Sequence, residues 1–331
     1  MAASLDKVKM VKDYPGRGVI FRMARVPGSR RLFFGSSDFK VYEYDLAAAK
    51  PEPKELGAHA SYVTGVALTG STLISGSYDG KLIWWDIEGR KQVRAVDAHS
   101  KWIRNVVISS DGRMAASVAD DMVCRMWDVA SGRLVHELRG HKEKTPHHFP
   151  SMLYNCAFTP DGKHLASADK VGHIVVWDTA SGKEVTTLEA PVMYTWDPVQ
   201  RRHSIGGIRG LTFSPDGKQL VVGGIGKIGN IDHLDGPVRV EVFDWNKGER
   251  LWEFSSDKLR ALVECVRFHP KGDWLLAAGG ANDGFLLFLD VAAKKVLRQE
   301  KSPMHVQDLI LDEAGETIWA GGHGKLTVYG L

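Results

Sequence analysis

Between Tyr62 and Val96 short apolar runs alternate with turn signals at a steady beat. The runs "YVTGVAL", "TLISGS", "KLIWWD" and "KQVRAV" are rich in β-branched and aromatic residues, and "TG", "DG" and "EGR" separate them. This pattern predicts four short antiparallel strands joined by tight turns. The hairpin at its centre, "SGSYDGKLIWWD" (75–86), returns as "ASVADDMVCRMWD" (116–128) and "LASADKVGHIVVWD" (165–178). Hairpin endings recur at Tyr44-Asp45, Trp85-Asp86, Trp127-Asp128, Trp177-Asp178, Phe243-Asp244, Leu289-Asp290 and Tyr329-Gly330, with spacings of 41, 42, 50, 66, 46 and 40 residues. A period near 40–45 is that of four-stranded propeller blades. The turn "SPDGK" (214–218) recurs as "SSDGR" from 109 and "TPDGK" from 159, each time between the first two strands of a unit. The nearest helical candidate, "DLAAAKPEP" (45–53), is broken by two prolines.

The pattern therefore predicts an all-β chain, a seven-bladed β-propeller of four-stranded antiparallel blades in radial array. A closed array of repeats is one domain at any length, so residues 1–331 are expected to form a single domain. The last unit stops after its third strand, "KLTVYGL", while "KVKMVKDY" (7–14) has strand character and no partner of its own. The N-terminal strand is thus expected to close the ring as the outer strand of the seventh blade, removing two open sheet edges.

Composition narrows the function classes. The chain is 44% apolar and 25% charged, with a formal charge of +3 and a pI near 8.6. That balance suits a soluble domain with a large core and is too mild to argue for nucleic acid or an acidic membrane surface. Cys124, Cys156 and Cys265 are too few for a disulfide framework, and each lies in an apolar strand pattern, the setting of a buried thiol in a reducing compartment. The N-terminal stretch lacks an apolar run of signal length, and no later segment approaches a membrane span. The expected location is cytoplasmic.

The combination "GAH" (57–59), "SGSYDG" and "WWD" resembles the WD40 repeat family, as do "DAH" (97–99) with "RMWD" and "RGH" (139–141) with "VVWD". Spacer phrases such as "TPDGKHLASAD" look like bacterial members. The resemblance is strong in repeats two to four and degenerate elsewhere. It implies a buried hydrogen-bonded network of Trp, Ser, His and Asp in each well-formed blade: Trp85, Ser75, His59 and Asp79 in the second repeat, Trp127, Ser117, His99 and Asp121 in the third. The fourth keeps Trp177, Ser167 and His141 but has Val171 where Asp is expected, so water or Asp169 would take that role. Such a network fixes one arrangement because buried polar groups are costly unless paired.

Irregularities mark where specificity can reside. Extra residues fall in "KEKTPHHFPSM" (142–152), "PVMYTWDPVQRRHS" (191–204) and "GIGKIGNIDHLDGP" (224–237). In a propeller all three connections emerge on the narrower top face, over blades four and five. By the family alignment the same face receives Tyr62 and Thr64, Trp102 and Arg104, Met152 and Tyr154, and Gly207 and Arg209, with Ser37, Tyr78 and Asp120 from hairpin turns and Arg22 from blade one. Tyr, Trp and Arg dominate binding hot spots. The expected function is a non-catalytic scaffold, monomeric outside its complex, that binds a protein or peptide partner over this face. Tyr62, Trp102 and Tyr154 would be its anchors, and Arg22, Arg104 and Arg209 would pair with acidic groups.

No nucleophile elbow, metalloprotease helix or phosphate cradle appears. The histidines at 141, 147, 148, 203 and 233 do not have the spacing of a zinc site, and no cofactor or metal is expected. The alternative from another class is a propeller enzyme or small-ligand binder at the channel mouth, with Asp232, His233 and Asp235 as its candidate ligands.

Overall fold

The computed structural model describes residues 5–199, 201–232, 234–281 and 283–331. The second repeat folds as Val63–Thr69, Thr72–Ser77, Lys81–Asp86 and Lys91–Asp97, in that order across one antiparallel sheet. Repeats three, four, five and six form four-stranded sheets with the same consecutive order. Each first strand lines the central channel and each fourth strand lies outermost. Burial follows this order: Leu73, Ile74, Leu82, Trp84 and Trp85 are buried, while Lys91–Asp97 is largely exposed.

Seven separate blades are expected from the repeat count. The described residues instead form six blade sheets, five of four strands and one of six, plus a small hairpin. Two long strands cause the difference. Lys9–Arg25 pairs with Thr317–Gly330 through its first half and with Arg31–Ser36 through Ile20–Arg25. Thr317–Gly330 likewise pairs with Val306–Leu311 through Ile318–Gly322 and with the N-terminal strand through Lys325–Gly330. Each belongs to two registers, so the first and last repeats merge into one sheet. The register of the N-terminal strand breaks between Pro15 and Val19. Proline has no N–H to give the ladder, and Gly18 turns the chain at φ +61°, where an added Cβ would lie 2.5 Å from Ser37 Oγ.

Neighbouring sheets are held together at two levels. Large apolar side chains fill the gaps: Ile74, Leu82 and Trp84 of one sheet meet Ile103, Val106 and Trp127 of the next. Trp84 is 2% exposed and its indole N–H donates to Val129 O at 3.0 Å; burying such a ring contributes about 2–3 kcal/mol. Around the channel, polar side chains of the innermost strands cross from sheet to sheet. Thr64 Oγ1 donates to Ile103 O at 2.5 Å, and Asn105 Nδ2 donates to Asn155 Oδ1 at 2.7 Å. Asn155 Nδ2 in turn donates to Arg209 O. Asp308, 1% exposed, accepts from Met23 N at 2.9 Å and pairs with Arg267 at 2.9 Å.

Where the repeat's Trp is lost, another large apolar group takes its volume. Phe243 packs with Trp245 and Leu220, and Leu289 with Leu275 and Leu287. All three cysteines are free and buried. No helix among the described residues is long and apolar enough to cross a membrane.

Candidate functional site

Three buried networks stiffen the hairpins beneath the top face, the face that carries the turns between second and third strands. In the second repeat Trp85 Nε1 donates to Ser75 Oγ at 2.8 Å, His59 Nε2 lies 2.8 Å from the same hydroxyl, and His59 Nδ1 lies 3.1 Å from Asp79. An indole can only donate, so the hydroxyl proton goes to Nε2 and the imidazole holds its own proton on Nδ1, toward the carboxylate. Burial pushes the Asp79 carboxyl up, but the hydrogen bonds from His59 and from the backbone N–H groups of Ala60 and Lys81 outweigh it and hold it at about 2. The third repeat places Trp127, Ser117, His99 and Asp121 the same way, at 2.9, 2.7 and 3.0 Å, and Arg125 adds a 2.9 Å ion pair to Asp121. Burial pushes the His99 imidazole below its ordinary value, which keeps it neutral.

In the fourth repeat Trp177 Nε1 donates to Ser167 Oγ at 2.9 Å, and His141 spans Ser167 at 2.8 Å and Asp169 at 3.0 Å. Asp169 closes this network from the end of the second strand, two residues before the turn position where Val171 stands. Its other oxygen accepts the N–H groups of Val171 at 2.9 Å and His173 at 3.0 Å.

The connections above these hairpins are packed tightly. Gly80 at φ +80° accepts the N–H groups of both Ala98 and His99 at 2.9 Å, and a Cβ there would lie 2.4 Å from His99 O. The three long connections of blades four and five meet one another. The second forms a hairpin, Tyr194–Asp197 with His203–Gly206. His147 of the first stacks on Trp196 at 3.7 Å and on Tyr194 at 5.7 Å. The third joins through Ile228 N, which donates to Thr195 Oγ1 at 3.0 Å, and through the Arg201–Asp232 ion pair.

A ladder of aromatic rings runs beside them. Phe39 and Tyr62 lie 5.5 Å apart, Tyr62 and Tyr78 5.6 Å, and Tyr78 stacks flat on Trp102 at 4.5 Å. Tyr62 is 41% exposed and Trp102 50%. Next to Trp102 a surface groove of about 350 Å³ is lined by Tyr78, Ser100, Lys101 and Asp120. Phe39 is a member of this ladder that the repeat alignment does not select; it follows the turn residue Asp38, is exposed, and holds a left-handed φ of +75° that is rare for an aromatic residue.

Other residues expected on this face lie deeper. Arg104 is not free to meet a partner's acid: it holds Asp120 with two nitrogens, at 2.7 and 2.6 Å, donates to Tyr78 OH, and sits over the Trp102 ring at 5.3 Å. The register shifts by one residue at Arg104, between the Asn105–Val118 and Ile103–Ala119 pairs, and this bulge brings the side chains of Arg104 and Asp120 together. Thr64 and Tyr154 are buried, not surface anchors. Both line a cavity of about 110 Å³ at the channel mouth, with Arg22, Tyr78, Arg104 and Arg209. Met152 sits between Arg104 and Tyr154, its sulfur 3.6 Å from Arg104 Nη2 and 3.0 Å from Tyr154 OH.

Of the candidate ligands of the alternative reading, the two described carboxylates are each engaged by a different arginine. Asp232 pairs with Arg201 and Asp235 with Arg260, and His233 lies outside the described residues. Among the described residues no group of three or more His, Cys, Asp or Glu is placed to hold a metal ion.

Channel-lining first strands, four-stranded sheets and the Trp–Ser–His–Asp networks together define a WD-repeat β-propeller. The WD domain, G-beta repeat family matches residues 51–86, 90–128, 132–178 and 248–288, so the chain carries WD repeats. It is 27% identical over 245 residues to the nuclear distribution protein nudF of Aspergillus niger, covering 71% of this chain and 51% of that protein. It is 28% identical over 184 residues to eukaryotic translation initiation factor 3 subunit I of Culex quinquefasciatus, covering 55% and 50%. To the guanine nucleotide-binding protein subunit beta of rice it is 26% identical over 204 residues, covering 60% and 46%. The chain spans about half the length of these curated relatives. They come from a fungus, an insect and a plant, and lend no support to the bacterial look of the spacers.

Proposed function

We propose that the whole chain is one WD40 propeller domain that acts as a non-catalytic scaffold, gripping a protein or peptide across its top face. The observation that carries this reading is the ladder Phe39–Tyr62–Tyr78–Trp102, exposed at every ring but the half-buried Tyr78, beside hairpins stiffened by the buried networks of the second and third repeats. Large flat rings held in place lose little entropy on binding, and aromatic anchors of this kind dominate interface energies. Arg104 and Asp120 serve the face by holding Trp102 and Tyr78 from behind, and the groove beside Trp102 offers a place for a partner side chain. Two of the relatives are named as subunits of larger assemblies, which agrees with a binding role here. The near-neutral charge argues against nucleic acid as the partner. We place the protein in the cytoplasm, monomeric when its partner is absent.

Affinity capture from the native lysate tests this. Wild type, the double variant Tyr62→Ala with Trp102→Ala, and an outer-strand control, Val93→Ala, are compared. Each lost hot-spot ring costs about 2 kcal/mol or more of binding, so the double variant is expected to melt like wild type yet release its partner, while the control keeps it. Retention by a folded double variant overturns the reading.

A further inference from the structure

The cavity at the channel mouth collects more positive charge than its surroundings neutralise. Arg22, Arg104 and Arg209 line it together, with Glu264 as the one carboxylate in its wall. Arg104 is already matched by Asp120. Glu264 meets His305 at 3.3 Å, in an ion-pair contact without hydrogen-bond geometry, and it feels the charges of Arg209 and Arg22. Lys170, 4% exposed, stands behind the wall; burial and then the Arg209 charge push its ammonium below the ordinary value. The cavity wall therefore carries three guanidinium groups against one carboxylate, with Asp120 and Lys170 adding one charge of each sign beside it.

Two of these groups have donors to spare. Arg209 lies over the Tyr154 ring at 3.6 Å, the ring that Arg104 also overlies at 5.7 Å, and the buried Nε of Arg209 has no hydrogen-bond partner. Arg22 spends one nitrogen on the carbonyls of Gln307 at 2.8 Å and Phe21 at 3.0 Å. A buried donor without an acceptor is costly, and like charges held close in a low dielectric repel. Both costs fall if an oxyanion enters. Guanidinium groups suit carboxylate and phosphate because their N–H forks match two oxygens at once.

We infer that the channel mouth is a binding site for a single oxyanion group, carboxylate or phosphate, held between Arg22 and Arg209 beneath the aromatic ladder. The cavity, at about 110 Å³, takes one such group and little more, so the anion is either free or the tip of a longer acidic ligand. The peptide source deepens the proposed binding face and rests on it; the free-anion source does not.

The test is a titration of the purified full chain with inorganic phosphate at constant ionic strength, read as melting temperature, with chloride as the reference salt. Wild type is expected to show a rise that grows with the logarithm of phosphate concentration and reaches about 2–4 °C at roughly ten to a hundred times the dissociation constant. Arg209→Gln and Arg22→Gln should each weaken phosphate binding about tenfold or more, while Lys91→Gln on an outer strand should respond like wild type. A rise of equal size in wild type and both channel variants, or none in wild type, overturns the assignment. Should both variants fail to fold, calorimetric titration of wild type with phosphate in physiological chloride decides it: saturable one-site heat supports the site and its absence refutes it. A hexaglutamate peptide that displaces phosphate identifies the source as an acidic peptide; phosphate that stays bound identifies a free anion. No partner is present in these titrations, so their failure is distinct from failure of the capture experiment.

Discussion

Asp169→Ala removes the carboxylate that closes the network of the fourth repeat. The side chain of His141 is fully buried and would keep an imidazole N–H with no acceptor. The backbone N–H groups of Val171 and His173 lose their acceptor as well, but both residues are partly exposed and can turn to water. An unsatisfied buried donor costs about 1–3 kcal/mol, and the two turn amides bring the total to about 2–4 kcal/mol. For a chain of 331 residues that corresponds to a fall in melting temperature of about 3–6 °C. Asp121→Ala should fall in the same range, since Asp121 serves His99 in the same way. Adding Val171→Asp to Asp169→Ala should recover more than half of the loss, because position 171 is the hairpin slot from which Asp79 and Asp121 reach their histidines. Thermal and urea melts of the four proteins measure this. An Asp169→Ala variant that melts within a degree of wild type would refute the network's role in holding the blade.

The other predictions concern closure, acid and the long connections. Deleting residues up to Tyr14 strips the C-terminal strand of its partner, so the truncated chain should melt earlier or aggregate; unchanged melting and solubility would contradict the pairing. The Asp79 carboxyl sits at about 2 in the fold against an ordinary 3.8. Its depressed value gives stability that is fully present above that ordinary value and is lost as pH falls toward 2, about 2 kcal/mol in all. Urea midpoints between pH 5 and pH 2, at intervals of about one unit, should therefore fall more steeply for wild type than for Asp79→Asn. His147→Ala removes the stack on Trp196 and Tyr194 at a cost of about 1 kcal/mol; limited proteolysis should then cut within 191–206 while the melting temperature barely moves.

Most of the fold can be read from the residues of repeats two to four, because the DG turns and WD endings fix strand length and register together. The merged sheet could not be read this way. "PGRG" (15–18) looks like a turn, yet the chain passes through it without leaving the sheet, and only long-range pairing shows that both flanks belong to one strand. The fourth network was half visible: Asp169 was one of two substitutes for the missing turn carboxylate, and its reach depends on backbone geometry that sequence spacing does not encode. Arg104 is less available than its residue type suggests. A guanidinium in a list of face residues looks available, but a hairpin folds its own Asp120 onto it. Phe39 is not legible in the family alignment, which weights the strand starts, because the ladder is built by rings from turns and starts together.

The central claim is that a partner sits on the aromatic ladder and not on the outer strands. A photo-crosslinking amino acid placed at Trp102, and in a second protein at Val93, tests it in intact cells. The account predicts a discrete covalent adduct from position 102 that is lost when Tyr62→Ala is added, and none from position 93. Adducts from position 93 alone, with a folded and unreactive position 102, would place the binding surface on the rim and contradict the account.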